Sequence, residues 1–149
     1  MTKSRSGSRD NGRPSLGRLG EDAAARYLAE RGYRIVARNV RADRVELDLI
    51  VRRGAVLVFV EVKARRSAGH GQAAEAVDLR KQRRLRHGAR AWLASRPTEA
   101  QGALRHRFDV VTCVLLAGRA GPPDEAGPEN TTSAPEGARW SIEHWESAF

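Results

Sequence analysis

Apolar residues recur at helical spacing near the start of the chain and mostly at alternating positions further along. The helical pattern predicts a first helix that ends at Gly32, since three- and four-residue spacings line one helix face. It comprises Leu16, Leu19, Ala23, Ala24, Tyr27 and Leu28. Residues 33–40 then predict a strand.

Two longer apolar strands follow, over residues 44–52 and 55–65, and Arg53-Gly54 between them is typical of a tight hairpin turn. A second helix is predicted over residues 78–95, with Asp78 as its N-cap. Further along, residues 107–116 predict another strand and residues 139–145 an edge strand. This order of elements predicts an α/β domain built round a central mixed sheet with flanking helices.

Composition separates the predicted folding unit from two segments of low hydrophobicity. Residues 1–15 are rich in Ser, Gly and Arg and predict a disordered basic tail. Residues 117–138 are rich in Pro and Gly and predict a flexible loop. The predicted α/β domain therefore covers residues 16–116, and residues 139–149 form a closing segment of the same domain.

Charge and cysteine content narrow the class of protein. The chain has 27 Lys and Arg against 18 Asp and Glu, a net charge of +9 that favours nucleic acid as a partner, although solubility alone also explains it. The single Cys113 excludes a disulfide framework, and its apolar neighbours predict a buried thiol. No apolar run is long enough to span a membrane and no signal peptide is present, so we expect a soluble cytoplasmic protein.

The two central strands form a predicted hairpin with Arg52 opposite Ala55. One face is wholly aliphatic, which supports this register because a shift of one residue would destroy it. That face comprises Val45, Leu47, Leu49, Val51, Val56, Val58, Val60 and Val62. The other face comprises Ile50, Leu57 and Phe59 near the turn, and Glu46, Asp48, Glu61 and Lys63 at the far end.

Three carboxylates share that far end. The predicted register places Glu46 opposite Glu61, with Cβ atoms about 5 Å apart, and Asp48 diagonal to Glu61 at about 7–8 Å. Repulsion makes such a cluster unfavourable unless a cation is bound, and Mg²⁺ prefers oxygen ligands of this kind. The pattern therefore predicts a metal site, with a solvated strand end as the alternative.

A lysine accompanies these acids. Lys occurs only at positions 3, 63 and 81, whereas the chain uses Arg elsewhere, so Lys63 indicates a need for a compact amine. Such an amine can orient or deprotonate an attacking water, or stabilise charge on a phosphate. A salt bridge with Glu61 or Glu46 is the alternative. Arg65 and Arg66, just beyond Lys63, are predicted to contact nucleic-acid phosphates.

The predicted second helix has an apolar and a basic face. Leu85, Ala89 and Trp92 point inward with Gln82 beside them, where a nearby active site would supply polar partners. The basic face is a candidate nucleic-acid contact, with a solvated surface as the alternative. It comprises Arg80, Arg83, Arg84, His87 and Arg90.

Polar residues elsewhere carry weaker signals. The histidines at positions 70, 87, 106 and 144 show no metal-ligand spacing and are predicted to lie at the surface or in loops. Asp109 is predicted to cap or brace the strand over residues 107–116.

Five segments of the chain carry a resemblance to a known family. They are GRLGEDAAARYLAERGYRIVARN, VELDLI, LVFVEVKAR, AEAVDLRKQRRL and RFDVV. Over about residues 16–116, the chain resembles the YraN-like uncharacterised bacterial protein family. An Asp followed by a hairpin return with Glu-x-Lys also resembles the PD-(D/E)xK nuclease superfamily. The resemblance implies a restriction-endonuclease-like fold, similar to archaeal Holliday junction resolvases.

This resemblance implies roles for individual residues. Asp48 and Glu61 match the ligands of Mg²⁺ or Mn²⁺, and Lys63 matches the catalytic lysine. Glu21 matches an acidic residue of the first helix that approaches the metal site.

Two supporting positions are also implied. Glu46 matches a glutamate that normally follows Gly, although Val45 occupies the Gly position here. Gln82 matches a helix glutamine near the site in related nucleases.

The leading interpretation is a Mg²⁺-dependent nuclease that acts on DNA, with branched or recombination intermediates as the expected substrate class. Asp48 and Glu61 would hold the metal, which activates water, and Lys63 would position or deprotonate that water. The alternative is a non-catalytic nucleic-acid-binding or scaffold protein that retains the fold, and RNA stays open as the polymer. Because resolvases act on symmetric junctions as dimers, the resemblance also implies a homodimer.

Overall fold

A computed structural model of the protein describes residues 14–66, 77–95, 97–116, 131–133 and 139–149. These ranges contain two long helices, one helical turn and six strands. The elements are α1 (Leu16–Glu30), β1 (Arg34–Ala42), β2 (Val45–Arg53), β3 (Val56–Arg65), α2 (Leu79–Ser95), α3 (Pro97–Ala100), β4 (Arg105–Leu116), β5 (Thr131–Ser133) and β6 (Arg139–Trp145). Most of the predicted basic tail and of the predicted loop lies outside the described residues.

The six strands form one mixed sheet in the order β1-β2-β3-β4-β6-β5. β3 and β4 run parallel, and the other neighbouring strands run antiparallel. A parallel pair needs a crossover connection, which here contains α2 and α3. The predicted α/β fold round a mixed sheet is therefore confirmed. The prediction of an edge strand at β6 is wrong, because β5 pairs along its outer side.

One long helix covers each face of the sheet, and a hydrophobic cluster lies beneath it. The α1-side cluster includes Ala24, Leu28, Leu49, Val58, Val111 and Trp140. The α2-side cluster includes Leu47, Ile50, Phe59, Leu85, Trp92 and Phe108. The inward stripe predicted for the second helix is confirmed, since Leu85, Ala89 and Trp92 are all buried.

Local signals set the helix ends. The Ser15 hydroxyl oxygen accepts the N–H of Arg18 at 3.3 Å, and Gly32 follows α1 with a φ of +82°. The Asp78 carboxylate accepts the N–H of Lys81 at 2.8 Å, which confirms Asp78 as the cap of α2. Each cap satisfies a backbone donor that the first turn of a helix otherwise leaves unpaired. Within the described ranges, neither helix combines the length and the apolar character needed to cross a bilayer.

The turn of the β2–β3 hairpin lies one residue later than predicted. Arg53 pairs with Val56, so the two-residue turn is Gly54-Ala55 rather than Arg53-Gly54. Gly54 has a φ of +58°, which the first central residue of a primed hairpin turn requires. Placing Arg53 at that position would cost strain that glycine avoids.

This turn shifts the hairpin register by two residues along β3. Ladder pairs between the strands end at Leu49 and Val60, so the next level sets Asp48, rather than Glu46, opposite Glu61. The predicted pairing of Glu46 with Glu61 is therefore wrong. A shift of two conserves the alternation of faces, so the hydrophobic pattern fits both registers equally well.

The aliphatic face predicted for the hairpin is divided between both clusters. Leu49 packs in the α1-side cluster, whereas Val45 and Leu47 pack in the α2-side cluster. Before Leu49, the ladder pairs of β2 are with β1 alone, so this part of the strand is not held beside β3. The start of β2 packs against α2, where a β-carbon on Gly88 would lie 2.8 Å from the Cβ of Val45.

A buried polar cluster joins β4 to the closing segment. The fully buried Asp109 carboxylate accepts hydrogen bonds from Arg107 Nη2 at 3.1 Å and from the N–H of Ser147 at 3.0 Å. His144 Nε2 lies 2.8 Å from the same carboxylate, and its side chain is 7% exposed. Asp109 thus braces β4, and the predicted surface position of His144 is wrong because strand pairing carries it inside.

α1 approaches the sheet closely at Gly20. A β-carbon on Gly20 would overlap the Cβ of Ala64 on β3. The Gly20 carbonyl accepts a hydrogen bond from Cys113 Sγ at 3.4 Å. Cys113 is buried as predicted, and burial raises the pKa of its thiol to about 12. This contact brings the next residue of α1, Glu21, toward the acidic end of the hairpin.

Gly20→Ala should therefore destabilise the protein, by about 1–3 kcal/mol, because the added methyl group overpacks the helix–sheet contact. Gly17→Ala on the same helix is the matched control, since a β-carbon there meets nothing within 4 Å. It should be neutral or stabilising by up to about 1 kcal/mol, because Ala favours helix over Gly. Urea denaturation measures both values, and equal effects would contradict the close approach of α1.

Candidate functional site

A pocket of about 310 Å³ lies between the start of β2, the middle of β3 and the first turns of α2. Its lining residues are Val45, Glu46, Asp48, Glu61, Lys81, Arg84 and Leu85. The three acids belong to the hairpin and the two cations belong to α2, so the two sides of the pocket carry opposite charges. Four of the predicted site residues line it, namely Glu46, Asp48, Glu61 and Arg84.

Asp48 occupies the level at which β2 and β3 stop pairing. Its carboxylate accepts the backbone N–H of Val62 at 2.8 Å, across the gap between the strands. A side-chain oxygen thus takes the place of a backbone carbonyl, so the separation of the strands leaves no unpaired amide at this position. The hydrogen bond fixes the half-buried carboxylate beside Glu61.

Burial raises the pKa of the Asp48 carboxyl to about 7. The charge of Glu61 is the next cause, and the charge of Glu21 acts in the same direction. The hydrogen bond from Val62 and the charge of Lys81 oppose this rise in pKa. A carboxyl pKa shifted by burial together with a like charge is typical of functional sites.

Glu61 is the buried member of the acidic pair, with 8% of its surface exposed. The Lys81 ammonium forms an ion pair with Glu61 Oε1 and reaches it from the first turn of α2. A buried carboxylate needs such a partner, because an uncompensated charge in a low-dielectric site is costly. Lys81 is therefore the counter-charge of the pocket.

Sequence analysis did not assign Lys81 to the site. Two signals point to it: Lys81 is one of only three lysines, and it precedes the buried Leu85 by four residues, which places both on one side of α2. The neighbouring arginines obscured this signal, since a helix with many cations gives no charge contrast.

The remaining acids and the motif lysine lie round the pair. Glu46 is exposed and lines the pocket, and Glu21 on α1 is close enough for its charge to raise the Asp48 pKa. Lys63 is half-buried on β3, two residues beyond Glu61 and therefore on the same strand face. It is not among the residues that line the pocket.

The predicted helix glutamine and strand-end arginines lie at more distant positions. Gln82 Nε2 donates to the Val77 carbonyl at 2.8 Å, so its polar partner is the start of α2 rather than the pocket. Arg65 is half-buried at the end of β3, and Arg66 follows it in an exposed position.

Three arginines of α2 were predicted to contact nucleic acid. Arg80, Arg83 and Arg84 are all exposed on the helix, and Arg84 alone among them lines the pocket. The helix therefore presents a cationic surface that is continuous with one wall of the pocket.

The donor set of the pocket fits a hard cation that keeps part of its water shell. In the described ranges, no group of three or more His, Cys, Asp or Glu side chains has the arrangement of a metal cage. Mg²⁺ is commonly held by one or two carboxylates together with waters and phosphate oxygens. Asp48 and Glu61 supply that number of carboxylates, and no soft ligand lies among the pocket residues.

The fold and the site together define a class of protein. A mixed sheet with a helix on each face, an Asp on a central strand and Glu-x-Lys on the hairpin return are compatible with a restriction-endonuclease-like fold. The Uncharacterised protein family UPF0102, also called the YraN family, matches residues 20–113. The chain belongs to this family, and the matched range contains every residue of the pocket.

Relatives occur in several bacteria. A UPF0102 protein of Rhodococcus jostii is 50% identical over 101 residues, which cover 68% of this chain and 83% of that protein. A UPF0102 protein of Symbiobacterium thermophilum is 51% identical over 96 residues, 64% of this chain and 79% of the relative. A UPF0102 protein of Geobacter sulfurreducens is 43% identical over 119 residues, which cover 80% of this chain and 87% of that protein. The descriptions of these relatives name no reaction.

The raised pKa of Asp48 predicts a pH dependence of stability. Folding lifts the pKa from 3.8 to about 7, so the folded protein binds a proton that the unfolded chain has released. Stability must therefore fall as pH rises between these two values. Asp48→Asn removes this loss, so its stability relative to wild type should increase between about pH 5 and about pH 8, by roughly 1 kcal/mol or more.

Urea denaturation at both pH values measures this difference. Glu46→Gln is the control, because it removes an exposed charge from the same pocket and retains Asp48. The wild-type pH dependence should persist in that variant. Parallel stability curves for wild type and Asp48→Asn would contradict the raised pKa.

Proposed function

We propose that the protein is a Mg²⁺-dependent nuclease that acts on DNA, with branched or recombination intermediates as its substrate class. The observation that carries this proposal is the convergence of Asp48 and Glu61 in one pocket, where burial and like charge raise the pKa of Asp48 to about 7. Such an arrangement costs stability, and a divalent cation at the two carboxylates would offset that cost.

Asp48 and Glu61 would hold Mg²⁺ or Mn²⁺, and the hydrogen bond from Val62 orients the Asp48 carboxylate for that role. Bound there, the metal would lower the pKa of a water nucleophile and neutralise charge on the scissile phosphate. Glu21 and Glu46 would add negative charge round the pair, which attracts a cation to the pocket.

Lys63 shares a strand face with Glu61, which places it near the metal ligands. It does not line the acidic pocket itself, so its role would be to act on water or phosphate rather than on the metal. From that position its ammonium would orient the attacking water or stabilise charge on the phosphate, or its neutral amine would deprotonate that water. The Gln82 side chain donates a hydrogen bond to the Val77 carbonyl, so its role would be to stabilise the start of α2.

The basic residues would bind the nucleic-acid backbone. Arg84 lines the pocket, and Arg80 and Arg83 extend the same helix surface. Arg65 and Arg66 would add contacts at the end of β3. The net charge of +9 supports a polyanionic substrate, and the likeness to resolvases supports branched DNA and a homodimer.

A non-catalytic nucleic-acid-binding protein with the same fold is the second candidate. The ion pair between Glu61 and Lys81 favours it, because a neutralised carboxylate is also a stable structural arrangement. In that case the cationic face of α2 would bind nucleic acid, and the acids would hold no metal.

The test is an activity screen of the purified full chain with Mg²⁺ or Mn²⁺ on linear, flap and four-way DNA and on RNA. Cleavage of DNA is the expected result. Asp48→Asn should abolish both cleavage and the thermal stabilisation that the metal gives by mass action. Lys63→Ala should lose cleavage and keep the metal-dependent rise in melting temperature.

Glu143→Gln, an exposed acid on β6, is the control variant and should behave as wild type in both measurements. Identical responses of wild type and Asp48→Asn to Mg²⁺ would remove the metal site and favour the non-catalytic candidate. Metal binding by wild type without cleavage of any polymer would also contradict the proposed activity.

A further inference from the structure

The ion pair between Lys81 and Glu61 joins groups of very different accessibility. The Glu61 side chain is 8% exposed, whereas the Lys81 side chain is 47% exposed. The lysine therefore reaches inward from the rim of the pocket, and its flexible stem remains in contact with solvent. Its charge also acts on the second acid, since it lowers the pKa of Asp48.

A divalent cation would compete with the Lys81 ammonium for the Glu61 carboxylate. Glu61 has two carboxylate oxygens in a small pocket, and an ammonium on one of them occupies space and charge that a metal ligand would need. A cation held by Asp48 and Glu61 would neutralise both acids and so remove the attraction that draws Lys81 inward. The released ammonium would repel the metal and turn toward the rim.

The rim already carries the other cation of the pocket. Arg84 lies three residues beyond Lys81 on α2, and residues at this spacing are neighbours on a helix surface. An ammonium and a guanidinium side by side, next to a metal site, form a surface suited to a phosphodiester. Exposed Arg80 and Arg83 continue the positive surface along the helix.

We infer that Lys81 is a metal-released phosphate-binding residue. In the absence of a divalent cation it pairs with Glu61; once the cation takes Glu61, Lys81 binds a backbone phosphate of the nucleic acid beside Arg84. Metal binding and nucleic-acid binding then reinforce each other, because each is favoured when Lys81 has left the acids. This inference rests on the proposed function, since it requires the metal site and a polyanionic substrate.

The experiment measures duplex DNA binding by fluorescence anisotropy across a salt series, once in EDTA and once in Ca²⁺. Calcium takes oxygen ligands like Mg²⁺ and is used here to separate binding from cleavage. Lys81→Met keeps the length of the side chain and removes its charge. Arg84→Met is the matched control on the same helix and the same pocket wall.

Loss of one phosphate contact should reduce the magnitude of the negative slope of log affinity against log salt by about 1. For Lys81→Met, we expect this reduction in Ca²⁺ and an unchanged slope in EDTA. For Arg84→Met, we expect the same reduction in both conditions, because Arg84 needs no release. An equal reduction for Lys81→Met in both conditions, or none in either, would overturn the inference.

A second variant releases Lys81 without metal. Glu61→Gln removes the charge that holds the ammonium. The slope of log affinity against log salt in EDTA should therefore become steeper, by about 1 in magnitude, relative to wild type. Adding Lys81→Met to Glu61→Gln should reverse that change. An EDTA slope that Glu61→Gln leaves unchanged would contradict the release of Lys81 from Glu61.

Calorimetric titration of wild type with Ca²⁺, Mg²⁺ and Mn²⁺ distinguishes failure of the metal site from failure of the role of Lys81. Calcium binding together with metal-independent slopes would overturn the role of Lys81 and leave the metal site intact. Absence of binding by any divalent cation would overturn the metal site and this inference together.

Discussion

The hydrogen bond between the Asp48 carboxylate and the Val62 N–H is the constraint on which the site depends. β2 and β3 separate at this level, and the side chain supplies the acceptor that a continued ladder would have provided. The strands diverge without loss of that bond, and the pocket opens beside α2. Because the same bond holds Asp48 against Glu61, one contact sets both the shape of the pocket and its unfavourable electrostatics. Functional sites commonly carry such local costs.

The elements of the fold could be predicted because each has a local physical cause. Asp78 caps α2, and an apolar stripe on that helix faces the sheet. The hairpin register could not be predicted from the hydrophobic pattern. The alternation of apolar and polar side chains repeats every two residues, so a shift of two residues leaves the pattern unchanged. The left-handed φ of Gly54 decides the register. Leu47 shows a further limit, because it packs in the α2-side cluster whereas Leu49, from the same predicted face, packs in the α1-side cluster.

The acids of the site were visible in the sequence because they interrupt strands that are otherwise apolar. Lys81 was not, since its partner Glu61 lies 20 residues earlier on another element and its neighbours on α2 are also cationic. The buried position of His144 could not be predicted for a related reason. Its partner Asp109 is set by the pairing of β4 with β6, and no spacing along one element reveals that pairing.

Asp109 also couples the folding of distant parts of the chain. Its bonds to His144 and Ser147 span 35 and 38 residues, and both partners belong to the closing segment. A partly folded form in which β4 has docked and β6 has not has neither these bonds nor the packing of Trp140, which is fully buried on β6. Such intermediates are high in free energy, so we expect the sheet and the closing segment to unfold together in a single cooperative transition.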